Sequence, residues 1–539
     1  MYIYIMQGRK DIQPKMMYQV NIDMLVPVDN FYRKLSQVLD LSFLYKATAQ
    51  YYGREGQESI DPVVFFKLLL VGYLNNINSD RRIIEYCSNC LDVRWYLKYD
   101  IDEELPWHST ISRTRQLYGE AVFQDLFQKV LQLCIRKGMV RGKRQSIDSA
   151  YIKANASMDS LEEKELLADG KQYTDALNEG SEYKVAASVK KAVERHHAWK
   201  EKAYKDMPGH VDTPKQEDEH GHIIRPKYLS NHTHYSPTDP DAKISTKPGK
   251  ARQLNYSGQI AVDDAHHVIT GACASSAGNR DSQNLAEILS QTIDNLQQND
   301  ITLEQIAADT GYSSGEAIAY CEQNNIDAYI PNFGQYKPER EGFAYNRFGN
   351  FYQCHKEGGK RAKLVYKGER TDSKGYSKNT YRSSESDCKD CPLRHQCCGV
   401  STKFKKLDDS VDKPYYDRMH KKLTKNQAYA KRMVRIRSST VEPVLGTLIN
   451  YLNMRRVHTR GMAQANKHVL MSALCYNLKK YIKFHRPTTQ IIAQSLPVAT
   501  STNATIFFIP KSTLRDIIRR QISHSNFAYQ KYHIKNPMP

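Results

Sequence analysis

Apolar positions in the first 140 residues recur at the spacing of buried helices. The longest run is VVFFKLLLVGYL at 63–74, where Asp61 and Pro62 form the N-cap and first-turn pair that opens a helix. Lys67 interrupts the run, which is shorter than the roughly 20 apolar residues of a membrane helix. A second helix is predicted to begin near Ser79. We interpret residues 1–140 as a helical N-terminal domain.

A further helix is predicted in LPWHSTISRTRQLYG, at 105–119. Ser109 or Thr110 would cap it, and its polar side carries Arg113 and Arg115. Such a helix could read DNA, which would make this a DNA-binding domain. The solvated basic face of a bundle helix explains the same residues equally well.

The period changes to strand-like alternation in QSIDSAYIKANAS, at 145–157, although Asp148 is a residue type that strands disfavour. Two β-rich runs in LNYSGQIAVDDAHHVITGACAS flank an Asp-Asp-Ala-His turn, which predicts a hairpin. The hairpin turn also accounts for Asp263 and Asp264.

A helix is predicted at 282–296, and QIAADTGYSSGEAIAYCEQNN then predicts a strand, a turn and a helix with a capping box from Ser313 to Glu316. The short strand AYIPN follows. This order of elements is typical of an α/β fold, so we assign residues 141–157 and 236–334 to the first part of an α/β core.

Two polar blocks interrupt the core. Residues 158–235 form a polar insertion of exposed helix and loop, and residues 335–417 form a Tyr- and Lys-rich insertion that contains a cysteine cluster. Residues 418–484 hold the last core helices, and 485–539 form a basic tail without a functional interpretation.

The charge balance favours a polyanionic partner. The 539 residues contain 78 Lys and Arg against 59 Asp and Glu, a net charge of +19. Nucleic acid is the leading candidate and an anionic membrane the second. No membrane span and no export signal are predicted, so we expect a cytoplasmic protein with reduced cysteines. The strongest basic patch is 418–437, with eight basic residues and no acidic one.

Three acids lie at the edges of the predicted core. Asp148 lies in the first strand, Asp309 ends the strand QIAAD, and Glu442 begins a helix just after the basic patch. The apolar face of that helix carries Val441, Val444, Leu445, Leu448 and Leu452. Converging carboxylates suit Mg²⁺-assisted phosphoryl transfer, and nearby cations would hold the anionic substrate. The candidates are Arg435, Arg437, Arg455, Arg456 and Arg460.

Each acid also has a structural explanation. Asp148 could accept a hydrogen bond at a sheet edge, Asp309 could be a loop-start residue, and Glu442 could pair with Ser439 in a capping box. Asp281 is predicted to be an N-cap or a group that supports the other acids.

The segments IDSAYIKANAS, IAADTGYSSGEA and STVEPVLGTLINYLNMRRVHTRG resemble three blocks of bacterial insertion-sequence transposases of the DDE class. The last block is the most specific, with Val-Glu-Pro-Val, a Gly four residues after the Glu and a closing Arg-Gly. The resemblance implies an RNase H-like mixed-sheet catalytic core with an insertion before the Glu helix. It implies that Asp148, Asp309 and Glu442 are the catalytic ligands of Mg²⁺ or Mn²⁺.

The resemblance also implies partners and a reaction. A nucleoid-associated homodimer would bind double-stranded DNA at the terminal inverted repeats, cleave there and join the ends to target DNA. One departure concerns a Lys seven or eight residues after the Glu, because Ile449 and Asn450 stand there. Arg455 or Arg456 would replace it, or the contact is missing. The alternatives are a metal-dependent nuclease without strand transfer and an inactive DNA-binding regulator.

The cysteine cluster predicts either a structural zinc site or reduced thiols. Cys388, Cys391 and Cys397 lie close together with Cys398, and Cys354 or His355 could supply a fourth ligand. Similar clusters occur in the related transposases. The remaining cysteines, Cys87, Cys90, Cys134, Cys273, Cys321 and Cys475, are predicted to be core residues.

Overall fold

The computed structural model describes residues 21–53, 59–163, 216–217, 223–224, 230–231, 234–246, 251–334, 336–371, 376–398 and 402–484. The chain divides into the units Met1–Lys483 and Phe484–Pro539, and the description below concerns the first. The predicted basic tail at 485–539 and most of the predicted polar insertion lie outside the described residues.

Helices make up the described part of the N-terminal region. In chain order they are α1 Ile22–Leu25, α2 Phe31–Val38, α3 Phe43–Thr48, α4 Pro62–Leu74, α5 Asp80–Asn89, α6 Leu91–Leu97, α7 His108–Leu117 and α8 Glu120–Arg136. Asp61 caps α4 as predicted, accepting hydrogen bonds from the Val63 and Val64 amides at 2.6 and 3.1 Å. Ser79 is the N-cap residue of α5. The prediction that Ser109 or Thr110 caps α7 is wrong, because the helix begins at His108 and both hydroxyls lie inside its first turn.

Helix α4 is buried almost all round, as its unbroken apolar run predicts. The Lys67 side chain lies inside with it and donates to the Tyr96 carbonyl oxygen. Burial lowers the pKa of the Lys67 ammonium to about 8. Not one of the helices in the described part of the chain combines the length and apolarity that a bilayer crossing needs.

A mixed sheet forms the centre of the protein. Its strands are β1 Arg144–Lys153, β6 Lys243–Ser245, β7 Gln253–Asp263, β8 Ile269–Ser276, β9 Gln305–Ala307 and β10 Asp327–Tyr329. The strand order is β10-β9-β1-β7, with both β6 and β8 paired to β7. β7 and β8 form the predicted hairpin, antiparallel to β1, whereas β9 and β10 run parallel to β1. The α/β prediction is confirmed.

Short strands occupy the described parts of the polar insertion. They are β2 Glu162–Glu163, β3 Gln216–Glu217, β4 Ile223–Ile224 and β5 His234–Tyr235, where β2 pairs with β5 and β3 pairs with β4.

Helices flank the central sheet. They are α9 Asp281–Gln297, α10 Gly315–Gln323, α13 Lys413–Lys425, α14 Gln427–Tyr451 and α15 Met462–Lys483; the short helices α11 Glu385–Lys389 and α12 Arg394–Cys398 carry the cysteine cluster. α9 and α15 pack against β8, and α14 packs across β1 and its neighbours. The predicted apolar face of α14 is buried along its length.

The Tyr- and Lys-rich insertion is more regular than its composition predicts. It forms a five-stranded antiparallel sheet in the order β11-β12-β13-β14-β15. The strands are β11 Phe343–Asn346, β12 Phe351–Cys354, β13 Lys363–Thr371, β14 Ser377–Ser383 and β15 Lys406–Ser410. Tyr352, Leu364, Tyr381 and Cys388 belong to its small core. Aromatic cross-strand packing replaces the aliphatic core that the sequence lacks.

The N-terminal helices dock onto α15 through a buried polar cluster. The Tyr73 hydroxyl lies 2.6 Å from Nδ1 of His468, whose Nε2 lies 2.9 Å from the Asn453 carbonyl oxygen. Burial lowers the pKa of His468 to about 3, so the ring is neutral at physiological pH. Since a carbonyl only accepts, Nε2 carries the proton and Nδ1 accepts from Tyr73.

Tyr73→Phe is expected to lower the free energy of unfolding by about 1–3 kcal/mol, because His468 Nδ1 is left buried without its donor. The change is measured by chemical denaturation of the full chain. Tyr451→Phe, which removes a hydroxyl from a side chain that is 66% exposed, is the matched control and should change stability by less than about 0.5 kcal/mol. Equal effects of the two variants would contradict the docking role of the cluster.

Candidate active site

Parallel pairing of β1 with β9 brings two acids side by side. Ser146 is the register partner of Ala307, and Asp148 and Asp309 each lie two residues further on. Neighbouring strands are about 4.8 Å apart, so the two carboxylates belong to adjacent positions at one end of the sheet.

Asp309 lies just beyond β9, where it is the N-cap of the one-turn helix Thr310–Tyr312. Its Oδ1 accepts a hydrogen bond of 2.9 Å from the Gly311 amide. The loop-start explanation is therefore confirmed, and it is compatible with a position beside Asp148. The capping box predicted from Ser313 to Glu316 is wrong, because Ser314 caps α10 by accepting from the Ala317 amide.

Glu442 lies inside α14 and not at its start. The helix begins after Asn426, whose side chain accepts from the Tyr429 amide at 3.0 Å, so the last part of the basic patch belongs to the same helix. The predicted helix start at Glu442 is wrong. The capping-box explanation also fails, since the Ser439 hydroxyl donates to the Ile436 carbonyl within the helix. The Glu442 side chain is 57% exposed.

Arg437 lies between two of the acids. Its Nη1 is 2.7 Å from Oδ2 of Asp148 and its Nη2 is 3.2 Å from Oε1 of Glu442. Only 14% of the arginine side chain is exposed. The structure thus gathers Asp148 and Glu442, which are far apart in the sequence, around one guanidinium group.

The environment of Asp148 favours its neutral form. Burial raises the pKa of this carboxyl above its ordinary value, and the charge of Asp309 raises it further. The Ser149 amide, which donates to Oδ1 at 2.8 Å, and the Arg437 guanidinium act in the opposite direction. Asp309 contributes to this shift because the pairing of β1 with β9 sets it beside Asp148.

Asp281 supports the site from behind. Its Oδ1 accepts from the Ser149 hydroxyl at 2.7 Å and from Nε2 of Gln259 at 3.4 Å. Because successive residues of a strand point to opposite faces, Ser149 lies behind Asp148. A Cβ atom at Gly311 would lie 3.1 Å from Asp309 Oδ1 and 3.2 Å from Asp281 Oδ2, so glycine permits this approach.

Asp281 is not the N-cap, because α9 begins at Asp281 itself and Arg280 precedes it as the cap residue. The sequence did suggest a supporting role for Asp281, but not its partners Ser149 and Gln259. Tyr312 extends this network by donating its hydroxyl hydrogen to Gln259 Oε1.

The two acids of the β7–β8 turn have structural partners. Asp263 is buried and accepts hydrogen bonds from the amides of Gly142 and Ala265 at 2.7 and 3.0 Å. Asp264 forms an ion pair of 2.9 Å with Arg144. Both contacts agree with the turn interpretation of this pair.

The predicted DNA-contacting arginines fall into different environments. Arg115 is held by Asp80, with N–O distances of 2.6 and 3.0 Å, whereas Arg113 on the same helix is exposed. The Arg455 guanidinium donates to Asn450 Oδ1 at 2.6 Å, and Arg456 reaches Asn155 at 3.4 Å. Arg435 and Arg460 are exposed.

Part of the basic patch has an internal role. Arg418 pairs with Glu322 at 2.7 Å, and Lys422 pairs with Asp327, so both residues tie α13 to the core. Other cations of the basic patch face the solvent. They are Lys421, Lys425, Lys431, Arg432 and Arg435.

The cysteines of the insertion surround one cavity of about 20 Å³. Its lining includes Cys354, Cys388, Cys391, Cys397 and Cys398, but not His355. The Cys388 thiol lies 3.1 Å from the Ser383 hydroxyl. Across the described residues, no group of three or more His, Cys, Asp or Glu side chains is arranged to hold a metal ion. Zinc therefore stays a prediction. The six cysteines predicted to be core residues are buried, except Cys90, which is half-buried.

Two family models match the chain. One is described as a transposase domain and covers residues 20–117, within the helical N-terminal region. The other is described as a transposase DDE domain and covers residues 354–482, which include the cysteine cluster, Arg437 and Glu442. Both matches support an insertion-sequence transposase of the DDE class. No curated protein matches the chain. Asp148 and Asp309 lie outside both matched ranges, so their assignment depends on the geometry above.

Asp148→Asn is expected to make the protein more stable than the wild type at neutral pH. The folded protein holds the Asp148 proton more tightly than the unfolded chain does, so wild-type stability falls as pH rises through the folded-state pKa. Asn mimics the neutral acid and avoids this loss. Thermal unfolding across pH should show the gap close towards about pH 4, near the unfolded pKa.

The control for this prediction is Asp300→Asn, which changes an exposed acid outside the site. It should give no such pH-dependent gain. A stability gap that widens towards acid pH for Asp148→Asn would contradict the environment described for this carboxyl.

Proposed function

We propose that this protein is a DNA transposase that binds the ends of its own insertion sequence, cleaves them and joins them to target DNA by metal-dependent phosphoryl transfer. The observation that carries the proposal is the approach of Asp148, Asp309 and Glu442 from three separate elements, beside a row of basic residues on α14. Gathering carboxylates in this way is electrostatically costly, because like charges repel and burial disfavours their ionised forms.

The strand arrangement supports an RNase H-like catalytic core. Strands β8, β7 and β1 lie side by side with each adjacent pair antiparallel, and β9 and β10 then continue the sheet parallel to β1. This is the order expected for that fold. In this proposal residues 1–140 form the DNA-binding domain, and the sheet of residues 335–417 is an insertion before the Glu442 helix.

The donor set suits Mg²⁺ or Mn²⁺. Hard divalent ions prefer carboxylate oxygens, and the Arg437 guanidinium already attracts oxygens of Asp148 and Glu442 to one positive charge. We assign Asp148, Asp309 and Glu442 as the ligands. When bound, the ion would polarise the scissile phosphate and favour ionisation of the attacking hydroxyl. Asp281, through Ser149, would hold the strand that carries Asp148.

Basic residues around the acids would hold the DNA backbone. Asn450 occupies one of the positions at which related transposases carry a Lys, and Arg455 donates to it, so Arg455 supplies positive charge there. Arg435, Arg456 and Arg460 would contact further phosphates, and exposed Arg113 would contact DNA from the N-terminal domain. Cutting two element ends together requires two sites, so we propose a nucleoid-associated homodimer on paired ends.

The alternatives make different predictions about products. A nuclease of the same fold would leave cleaved ends that never join target DNA, and a regulator would bind DNA without cutting it. Purified protein incubated with Mg²⁺ and DNA that carries the inverted repeats flanking its reading frame separates the three cases.

In that assay Asp148→Ala, Asp309→Asn and Glu442→Gln are each expected to lower the rate of end cleavage by at least about a hundredfold, because each would remove a ligand of the ion. Asp300→Asn gives the same change of charge at an exposed residue of the core and should cleave normally. Gel-shift measurements with the same DNA check that binding survives. Cleavage and joining by Asp148→Ala at the parental rate would reject the proposed mechanism.

The cysteine cavity gives a separate prediction for structural zinc. If Cys354, Cys388, Cys391 and Cys397 close around an ion, native protein should contain stoichiometric zinc by elemental analysis. Cys391→Ser should lose that zinc and unfold at a lower temperature, whereas Cys134→Ser, which changes a buried cysteine elsewhere, should keep it. If native protein contains no zinc, the prediction is wrong and the cluster consists of packed thiols.

A further inference from the structure

Arg437 holds oxygens that the proposed metal ion would need. Asp148 has two carboxylate oxygens, of which Oδ1 accepts from the Ser149 amide and Oδ2 accepts from Arg437. Glu442 gives its Oε1 to the same guanidinium. The side chain of Arg437 is mostly enclosed, so this contact is not a passing surface pair.

A guanidinium group and a divalent ion exclude each other at this position. Oxygens bound to Mg²⁺ lie about 2.0–2.1 Å from the ion, so two of them come close together. Arg437 instead holds its two oxygens at 2.7 and 3.2 Å from different nitrogens, which spreads them apart. The two positive charges would also repel each other across a partly buried site. Binding of the ion therefore requires Arg437 to release the acids.

The neighbouring surface offers Arg437 another anion. Lys431, Arg432 and Arg435 precede it on α14 and are exposed, so DNA attracted by them would bring phosphates next to Arg437. The planar guanidinium binds phosphate in a bidentate manner as readily as it binds a carboxylate. A phosphate could thus replace Asp148 and Glu442 as the partner of Arg437.

We propose that Arg437 couples DNA binding to metal binding, an inference that rests on the proposed function. Without DNA, Arg437 bridges Asp148 and Glu442 and competes with the ion for them. With DNA, the phosphate backbone takes the guanidinium and the carboxylates are released to bind the ion. By thermodynamic linkage, DNA tightens metal binding and the metal tightens DNA binding by the same factor. The device keeps the site from assembling before the substrate is present.

The test measures Mn²⁺ binding to the full chain by the electron paramagnetic resonance signal of free Mn²⁺, with and without a short DNA duplex of arbitrary sequence. Wild-type protein should bind Mn²⁺ about tenfold more tightly with the duplex, within the usual range of allosteric coupling. Arg437→Gln should bind about tenfold more tightly than the wild type without DNA, and the duplex should add little. Arg347→Gln removes the same charge from an exposed position of the insertion and should retain the wild-type coupling.

Arg437→Gln leaves two carboxylates without their cation, so folding is checked by thermal unfolding. If that variant does not fold, Arg437→Lys keeps the charge but lacks the planar fork whose two nitrogens reach the two carboxylates, and should show weaker coupling than the wild type. Mn²⁺ affinity in a folded Arg437 variant that is equal to or weaker than that of the wild type would overturn the coupling. Absence of an effect of DNA on the wild type would do the same. Failure of the proposed function would give a different result from failure of the coupling. If Asp148 is not a ligand, Asp148→Asn should bind Mn²⁺ as tightly as the wild type.

Discussion

Repulsion between carboxylates that share one site is the constraint on which the candidate active site depends. Two like charges about 4 Å apart cost roughly 4 kcal/mol at the effective dielectric of a protein surface. The protein balances Asp148 and Glu442 with the Arg437 guanidinium, and it holds Asp148 on a strand that cannot relax away. Burial, with a smaller contribution from the charge of Asp309, still raises the pKa of Asp148. The remaining electrostatic cost is the kind that a bound cation relieves.

The rest of the fold keeps those acids in place. A pairing of only three residues between β1 and β9 sets Asp309 beside Asp148. Helix α14 then crosses the sheet with Val441, Val444 and Leu448 buried, and this packing fixes the azimuth of Glu442. Pro443 follows Glu442 inside the helix, where its missing N–H leaves the Ser439 carbonyl without its usual helical partner. The N-terminal helices contact the core through Tyr73 and His468.

Local periodicity was enough to predict much of this architecture. Three predictions are confirmed: the strand around Asp148, the β7–β8 hairpin and the apolar face of α14. Each depends only on residues that are close together in the sequence. The sequence singled out Asp148, Asp309 and Glu442 as candidates, and the fold brings Asp148 beside Asp309 and to the same arginine as Glu442. Asn426 is a good N-cap residue and could have indicated the true start of α14, but the basic run after it lacks an apolar period.

What could not be predicted depends on contacts between distant segments. Nothing local to Arg115 shows that Asp80 holds it, and nothing local to Arg437 shows that Asp148 lies opposite. Tyrosine contacts across strands, such as Tyr352 with Tyr381, stabilise the sheet of the insertion. Composition alone shows a polar segment and does not indicate these contacts. In each case the interacting residue is distant in the sequence and becomes a neighbour only in the folded protein. A single sequence therefore shows the residue type but not the residue that it contacts.

The most direct test of the central claim is the anomalous scattering of Mn²⁺ in crystals of the full chain bound to duplex DNA. The account predicts an anomalous peak bounded by the carboxylates of Asp148, Asp309 and Glu442, with the Arg437 guanidinium turned to a DNA phosphate. A well-occupied Mn²⁺ peak elsewhere, with Arg437 still bridging Asp148 and Glu442 while DNA is bound, would contradict it.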